Sequence, residues 1–169
     1  MIIQRLLVAL ASAAAVIAAS PSRGSAVDEA PGDISAREAV ERSIAQPHLP
    51  LRPMRVVMDV CGSGEHRARG FLNSMADYRD RGSLNIELVP EVRAALAARL
   101  GGDPVEMLLG HRITVFGVVR QVPIYLFRDG QPTGEFYHQT QMRLWSAGHL
   151  DVVIENGEPV PGECDAQMT

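Results

Sequence analysis

From Met54 to Ile154 apolar residues recur at every second position in one short segment after another, and this period breaks once, at Pro90, for a stretch spaced like a helix. Val56, Met58 and Val60 alternate with Arg55, Val57 and Asp59, which predicts a half-buried strand beginning at Met54. Gly62 to His66 reads as a loop, and Arg67 to Asn73 as a second strand with Gly70 as a bulge. The polar, arginine-rich stretch from Ser74 to Gly82 is a loop, and Leu84 to Val89 a third strand. Pro90 then opens a helix where its missing N–H costs nothing. Val92, Ala95, Leu96 and Leu100 form its stripe, Gly101-Gly102 stops it, and Asp103 caps one or two further turns ending at Gly110. Arg112 to Val119 is a fourth strand, continued by Pro123 to Phe127. Arg128 to Gly134 has turn composition, Phe136 to Leu144 returns as a polar strand, and Leu150 to Ile154 closes the set before Asn156-Gly157 ends regular structure.

Three strands, a helical segment and two or more strands define an all-β chain with one helical insert. The layout predicted is a five-stranded OB-fold-like barrel with an extended final hairpin. Phe71-Leu72-Asn73-Ser74, then Asp77-Tyr78-Arg79-Asp80 and Leu84-Asn85-Ile86-Glu87-Leu88, resembles a signature of OB-like domains in exported or envelope-associated bacterial proteins. Asp103-Pro104 followed by Leu109 through Val119 is similar to the next block of those domains. The resemblance spans about Met54 to Val153 and implies a fold and a compartment, but no activity. Two departures stand out: His111 occupies a position usually held by lysine, which weakens any inherited phosphate contact, and the hairpin from Gln121 to Trp145 is longer than the resemblance implies.

The N-terminus predicts export. Met1 to Arg5 is short and positively charged, Leu6 to Ala19 is an unbroken apolar run, and Ser20 to Ala26 ends in small residues, the three-part layout of a signal peptide at residues 1–26. At a helical rise of 1.5 Å the run spans about 21 Å, short of a hydrocarbon core of about 30 Å, so a retained anchor is the lesser reading. No later stretch reaches the length of a membrane helix, which excludes a polytopic membrane protein. Residues 27–53 read as an arm: Ser35 and Glu38 form a capping box for a helix carrying Ala36, Ala39, Val40, Ser43 and Ile44 on one face, ended by Pro47, and Pro47, Pro50 and Pro53 make an extended connector. Residues 54–155 form the barrel domain and 156–169 a tail. An oxidising compartment permits Cys61 and Cys164, the two cysteines, to bridge; the alternative is two unrelated thiols.

All sixteen basic residues are arginine, against twenty acidic ones. Removing Arg5 and Arg23 with the leader leaves 14 − 20 = −6, which disfavours a protein that works by blanketing phosphates. The face expected to bind ligand carries Phe71, Asn73, Tyr78, Arg79, Arg81 and Arg112, the aromatics for stacking and the guanidiniums for phosphate or carboxylate. The plainer reading makes Phe71 core and lets the charges of the loop pair in water. Tyr125, Phe127, Phe136, Tyr137 and Trp145 place five of the eight aromatics in the final hairpin, as barrel wall or as a ribbon that contacts another protein. No catalytic residue, metal site or cofactor is assigned: the histidines are scattered, no phosphate-loop or serine-elbow motif occurs, and the chain has no lysine. The expected function is therefore an exported, non-enzymatic binding module for a protein, sugar or small anionic ligand, without stable membrane insertion once the leader is removed. The alternative is a single-stranded nucleic-acid module or secreted nuclease on the same fold, with Asp59, Asp77, Asp80 and Glu87 as its acids.

Overall fold

A computed structural model describes residues 32–164, so the leader expected at residues 1–26 lies outside the described residues. Among the described residues the chain is mostly β, with three short α-helices and one 3-10 turn at Ala147–His149. β1 (Ile34–Ser35) runs into α1 (Ala36–Ala45), where the Ser35 hydroxyl accepts from the Glu38 amide as the capping pattern predicts. Ala39, Val40 and Ser43 are buried against strands, whereas Ile44 at the end of the expected stripe is exposed. β2 (Met54–Asp59) alternates as expected, with Met54, Val56 and Met58 inward.

The next segments correct the sequence reading. Gly62 to His66 is strand, not loop: β3 (Gly62–His66) pairs antiparallel with β4 (Arg69–Asn73) across a tight turn at Arg67 and Ala68, both at positive φ. Main-chain pairing alone makes β3 a strand, since Gly-Ser-Gly-Glu offers no apolar alternation. Gly70 is not a bulge; its register runs unbroken to Glu65 and Leu88. Glycine is required there because a Cβ would stand 2.9 Å from Val105 Cγ1.

β5 (Leu84–Leu88) is buried at all five positions and lies beside β4. α2 (Pro90–Leu100) opens on proline and ends at Gly101 in the left-handed conformation. It buries Val92 and Leu96, while Ala95 is exposed because the helix rests on the body along a narrower stripe than the periodicity suggested. α3 (Pro104–Met107) is capped by Asp103. Arg93 joins Asp103 and, at 2.6 Å, Glu65, tying both helices to the β3–β4 hairpin.

β6 (Arg112–Gly117) breaks at Val118 and resumes as β7 (Val119–Arg128), which forms the sheet edge and therefore tolerates Pro123. The expected turn over Arg128–Gly134 contracts to Asp129-Gly130, both at positive φ, so β8 (Gln131–Leu144) begins earlier and the hairpin is longer than its composition implied. The closing strand divides: β9 (Leu150–Val152) pairs with β6, and β10 (Ile154–Glu155) pairs with β11 (Glu158–Pro159) across Asn156-Gly157, which turns the chain rather than ending its structure.

Two main sheets result, ordered β1-β2-β6-β9 and β3-β4-β5-β8-β7. β5 and β8 are parallel neighbours, so the chain cannot be a simple meander. The ladder is interrupted at Val60-Cys61 and at Val118, where the chain passes from one sheet to the other. A single cluster including Val56, Leu72, Ile86, Leu96, Met142 and Leu144 fills the space between the sheets. α1 lies against β2, β5, β7 and β8, and α2 against β4 and β5. Cys61 and Cys164 are joined by a disulfide with Cα atoms 5.2 Å apart, and Gly162 donates its amide to the Gly110 carbonyl at 2.8 Å, so the tail is fastened to the body.

Candidate functional site

Side chains of residues paired across neighbouring strands project from the same side of a sheet. Leu72, Ile86 and Met142 face the core, so Phe71, Glu87 and Arg143 form one outward row and Asn73, Asn85, Gln141 and Arg120 the next. At the centre Glu87 is only 4% exposed and both its oxygens are engaged, by Arg69 Nη1 at 2.8 Å and Arg143 Nε at 2.6 Å. The Arg143 guanidinium also lies 5.3 Å from the ring centre of Trp145, which is 70% exposed. An outward carboxylate that binds two guanidiniums fixes where their remaining N–H groups point.

Beside this triad runs a line of amides. Gln141 Nε2 donates to Gln139 Oε1, and Gln139 Nε2 donates to Tyr137 Oη at 3.0 Å and to the Tyr78 carbonyl at 3.3 Å. Asn85 Nδ2 also reaches the Tyr78 carbonyl, at 3.3 Å. The loop between β4 and β5 is thus held by its main chain at Tyr78, and the phenol ring, with Arg79 4.7 Å from its centre, stands exposed at the rim. Asp77 and Asp80 accept from the amides of Arg79 and Gly82, closing turns of that loop.

The six residues expected on one ligand face divide among different places. Phe71 lies on the outward face and Tyr78 with Arg79 at its rim. Asn73 projects from the same face but is buried, its Oδ1 unpartnered, beneath a loop whose Met75 and Ala76 carbonyls would meet a Cβ on Gly62 at 2.8 and 3.0 Å. Arg81 and Arg112 line a separate groove between α1 and the first sheet. There Arg112 is a clamp: its guanidinium bonds both oxygens of Asp59, at 2.7 and 3.0 Å, and lies 3.7 Å from Glu163 in the tail. Burial works to raise the Asp59 pKa, but the bonds from Arg112 and from the Glu163 amide outweigh it and hold the carboxyl below its ordinary value.

The hairpin aromatics do not form one patch either. Tyr125 pairs with Phe136, ring centres 5.7 Å apart, and Phe127 lies nearer the tip, beyond an irregularity in the ladder and opposite Pro132, all three aromatics strongly exposed. Tyr137 projects from the opposite side, with the amide line, and Trp145 follows β8 at the far end of the same outward face.

Arg69, Asn85, Arg120, Gln139, Gln141 and Arg143 lie on this face without being expected there from the sequence, and Glu87, expected only as an acid, is its centre. The signal was present in β8, where Tyr137, Gln139, Gln141, Arg143 and Trp145 alternate with the inward Thr140, Met142 and Leu144. Among the described residues no group of three His, Cys, Asp or Glu is placed to hold a metal ion.

No protein-family model matches this chain, and no curated protein matches it. Similar solved structures include the S. pombe Stn1-ten1 complex, at 14% identity and TM-score 0.39 over 63% of this chain and 62% of that one. The aspartyl tRNA synthetase from Entamoeba histolytica is similar at 10% identity and TM-score 0.34, over 64% of this chain and 20% of that one. An OBody bound to hen egg-white lysozyme is similar at 14% identity and TM-score 0.31, over 56% of this chain and 88% of that one. This chain thus spans about three fifths of the first and a fifth of the second, and at these TM-scores the likenesses carry no argument.

Proposed function

We propose that the protein is an exported, non-enzymatic binding module on an OB-type barrel, and that its ligand lies on the outward face of β3-β4-β5-β8-β7. The strand order supports the barrel. If β2 with β3 and β6 with β7 are each counted as one bent strand, the courses pair in the ring first-second-third-fifth-fourth-first, with third and fifth parallel, the connectivity of a five-stranded Greek-key barrel. α1 packs on β2, β5, β7 and β8, and α2 on β4 and β5, which suits helices that cover opposite ends of such a barrel. Export rests on the three-part leader pattern, and the Cys61–Cys164 bridge agrees with an oxidising compartment.

The observation that carries the ligand face is the triad of Arg69, Glu87 and Arg143, flanked by Phe71 and Trp145 and edged by the amide line. The side of a barrel wall that faces water has no need to bury a carboxylate between two guanidiniums. Oriented guanidiniums, carboxamides and flat rings hold a small anion or a sugar by charge-assisted bonds and stacking, without a nucleophile. The ligand class is therefore a small anionic compound or a sugar ahead of a protein. An amide-resolved NMR screen of the mature chain against small organic anions, disaccharides and an oligothymidylate tests this. Binders should move the amides of Phe71, Asn85, Tyr137 and Arg143, and Phe71→Ala should weaken them roughly tenfold, in line with about 1–3 kcal/mol for a stacking contact.

The alternation of arginine with exposed rings on this face favours a second reading, single-stranded nucleic acid. Oligothymidylate retention that falls steeply with salt would support it, and indifference to salt would remove it.

A further inference from the structure

Where the outward face of β7 and β8 meets the proline-rich connector, a cavity of about 590 Å³ opens against Phe116 and the bend at Val118. Its size falls within the range of small-molecule sites. Two guanidiniums, Arg120 and Arg143, and two imidazoles, His48 and His149, stand in its lining, and among the described residues no aspartate or glutamate lines it, in a chain that is negative overall. Two flat surfaces complete it. Trp145 is largely exposed, and Phe116, 40% exposed, is braced edge-on by the His149 ring at 5.5 Å.

Arg143 is held by Glu87 outside the cavity and lies over Trp145, so its direction is fixed before any ligand arrives. Arg120 is exposed and enters no salt bridge among the described residues. One guanidinium is thus pre-set against a ring and the other has no counter-ion among the described residues. The connector that closes the cavity is held at Leu51, whose amide donates to the Val119 carbonyl at 2.9 Å. Pro47, Pro50 and Pro53 restrict its backbone, which lowers the ordering cost of binding.

We infer that this cavity binds a small organic anion in which a planar aromatic ring carries a phosphate or carboxylate. The ring stacks on Trp145 and Phe116, and the anion takes the position between Arg120 and Arg143. This deepens the reading of the outward face, since Arg120, Arg143 and Trp145 belong to its rows, but it selects one end of that face and one ligand chemistry.

Trp145 is the chain's single tryptophan, so fluorescence excited selectively from tryptophan, apart from the three tyrosines, reports on the surroundings of this cavity. Adenosine monophosphate and benzoate, as the phosphate and carboxylate arms, should be titrated into the mature protein beside adenosine and inorganic phosphate. The expected result is saturable quenching by at least one ring-bearing anion, roughly tenfold tighter than by adenosine or phosphate alone. Arg120→Gln, which breaks no hydrogen bond or ion pair among the described residues, should weaken that binding about tenfold with the thermal midpoint unchanged. Equal affinity for the uncharged nucleoside, equal affinity in Arg120→Gln, or no saturable quenching by either anion overturns the inference. Amide shifts centred on Phe71, Asn85 and Tyr137 with Trp145 unaffected would remove the cavity while leaving the wider ligand face in place. Absence of shifts at both locations would remove both.

Discussion

At the scale of single residues, three arginine–carboxylate pairings hold the parts that matter, and each has a distinct consequence. Glu87 is buried between Arg69 and Arg143 on the outward face. Glu87→Gln keeps the shape but leaves two guanidiniums facing a neutral amide. Because both arginines reach solvent, the expected loss is about 1–3 kcal/mol in chemical denaturation, below that for a fully buried pair. Asp59 and Asp103 are both held below their ordinary pKa. For Asp59 burial opposes the shift and the bonds from Arg112 and the Glu163 amide prevail; for Asp103 the bond from Arg93 leads. A carboxyl lowered on folding contributes stability above its unfolded value, near 3.8, and that contribution is lost as pH falls through the folded value. The urea midpoint should therefore hold steady down to about pH 4–5 and decline below it. Asp59→Asn should lower the midpoint at neutral pH and flatten part of the acid decline; an unchanged acid slope would show that Asp59 titrates alike in both states.

At the scale of elements, close approach to the helices governs the β3–β4 hairpin. Gly70→Ala would press a methyl group on the Val105 side chain beneath Arg93, and an overpacking cost of about 1–3 kcal/mol is expected from the shift in thermal midpoint. Gly64, which has open space around its Cβ direction, should accept alanine with little change, and equal costs at both positions would contradict this picture. The same hairpin shows how much was legible in the sequence. β2, β5 and α2 were readable because Val56, Ile86 and Leu96 repeat at the period of their element and Pro90 and Gly101 mark the helix ends. β3 was not, because its pairing resides in main-chain bonds that glycine and serine side chains do not announce. β8 was assigned with the wrong start, since Gln131 to Glu135 is polar on both faces and the two-residue turn at Asp129-Gly130 was concealed in a longer stretch of turn-forming residues. The candidate site was half legible. Phe71 and Tyr78 are legible because they lie within eight residues of each other, on β4 and in the loop after it, whereas Arg143 and Glu87 meet across 56 residues of sequence and only the parallel pairing of β5 with β8 brings them together. Arg112 was misplaced because its match to Asp59 depends on the register of β2 with β6.

At the scale of the whole molecule, one covalent bond joins the junction of the two sheets to Cys164, after β11. The Cys61–Cys164 bridge spans a separation of 103 residues, for which chain entropy gives about 4–5 kcal/mol. A Cys61→Ser, Cys164→Ser double variant should lose close to that amount at equilibrium while keeping the far-ultraviolet spectrum of the parent; a loss under about 1 kcal/mol would mean that the tail contacts at Gly110 and Arg112 already constrain the unfolded chain. The outward side of the wall carries rings, amides and guanidiniums side by side, while in the groove at Arg81 and Arg112 the Arg112 guanidinium is already taken by Asp59, and the aromatic tip of the β7–β8 hairpin stands apart. That contrast is why the ligand is assigned to the wall. The most direct test is the amide-resolved screen of the mature protein: the account predicts at least one small anion or sugar whose saturable shifts centre on Phe71, Asn85, Tyr137 and Arg143. Saturable shifts confined to the α1 groove or to the hairpin tip, or a panel in which nothing binds, would contradict it.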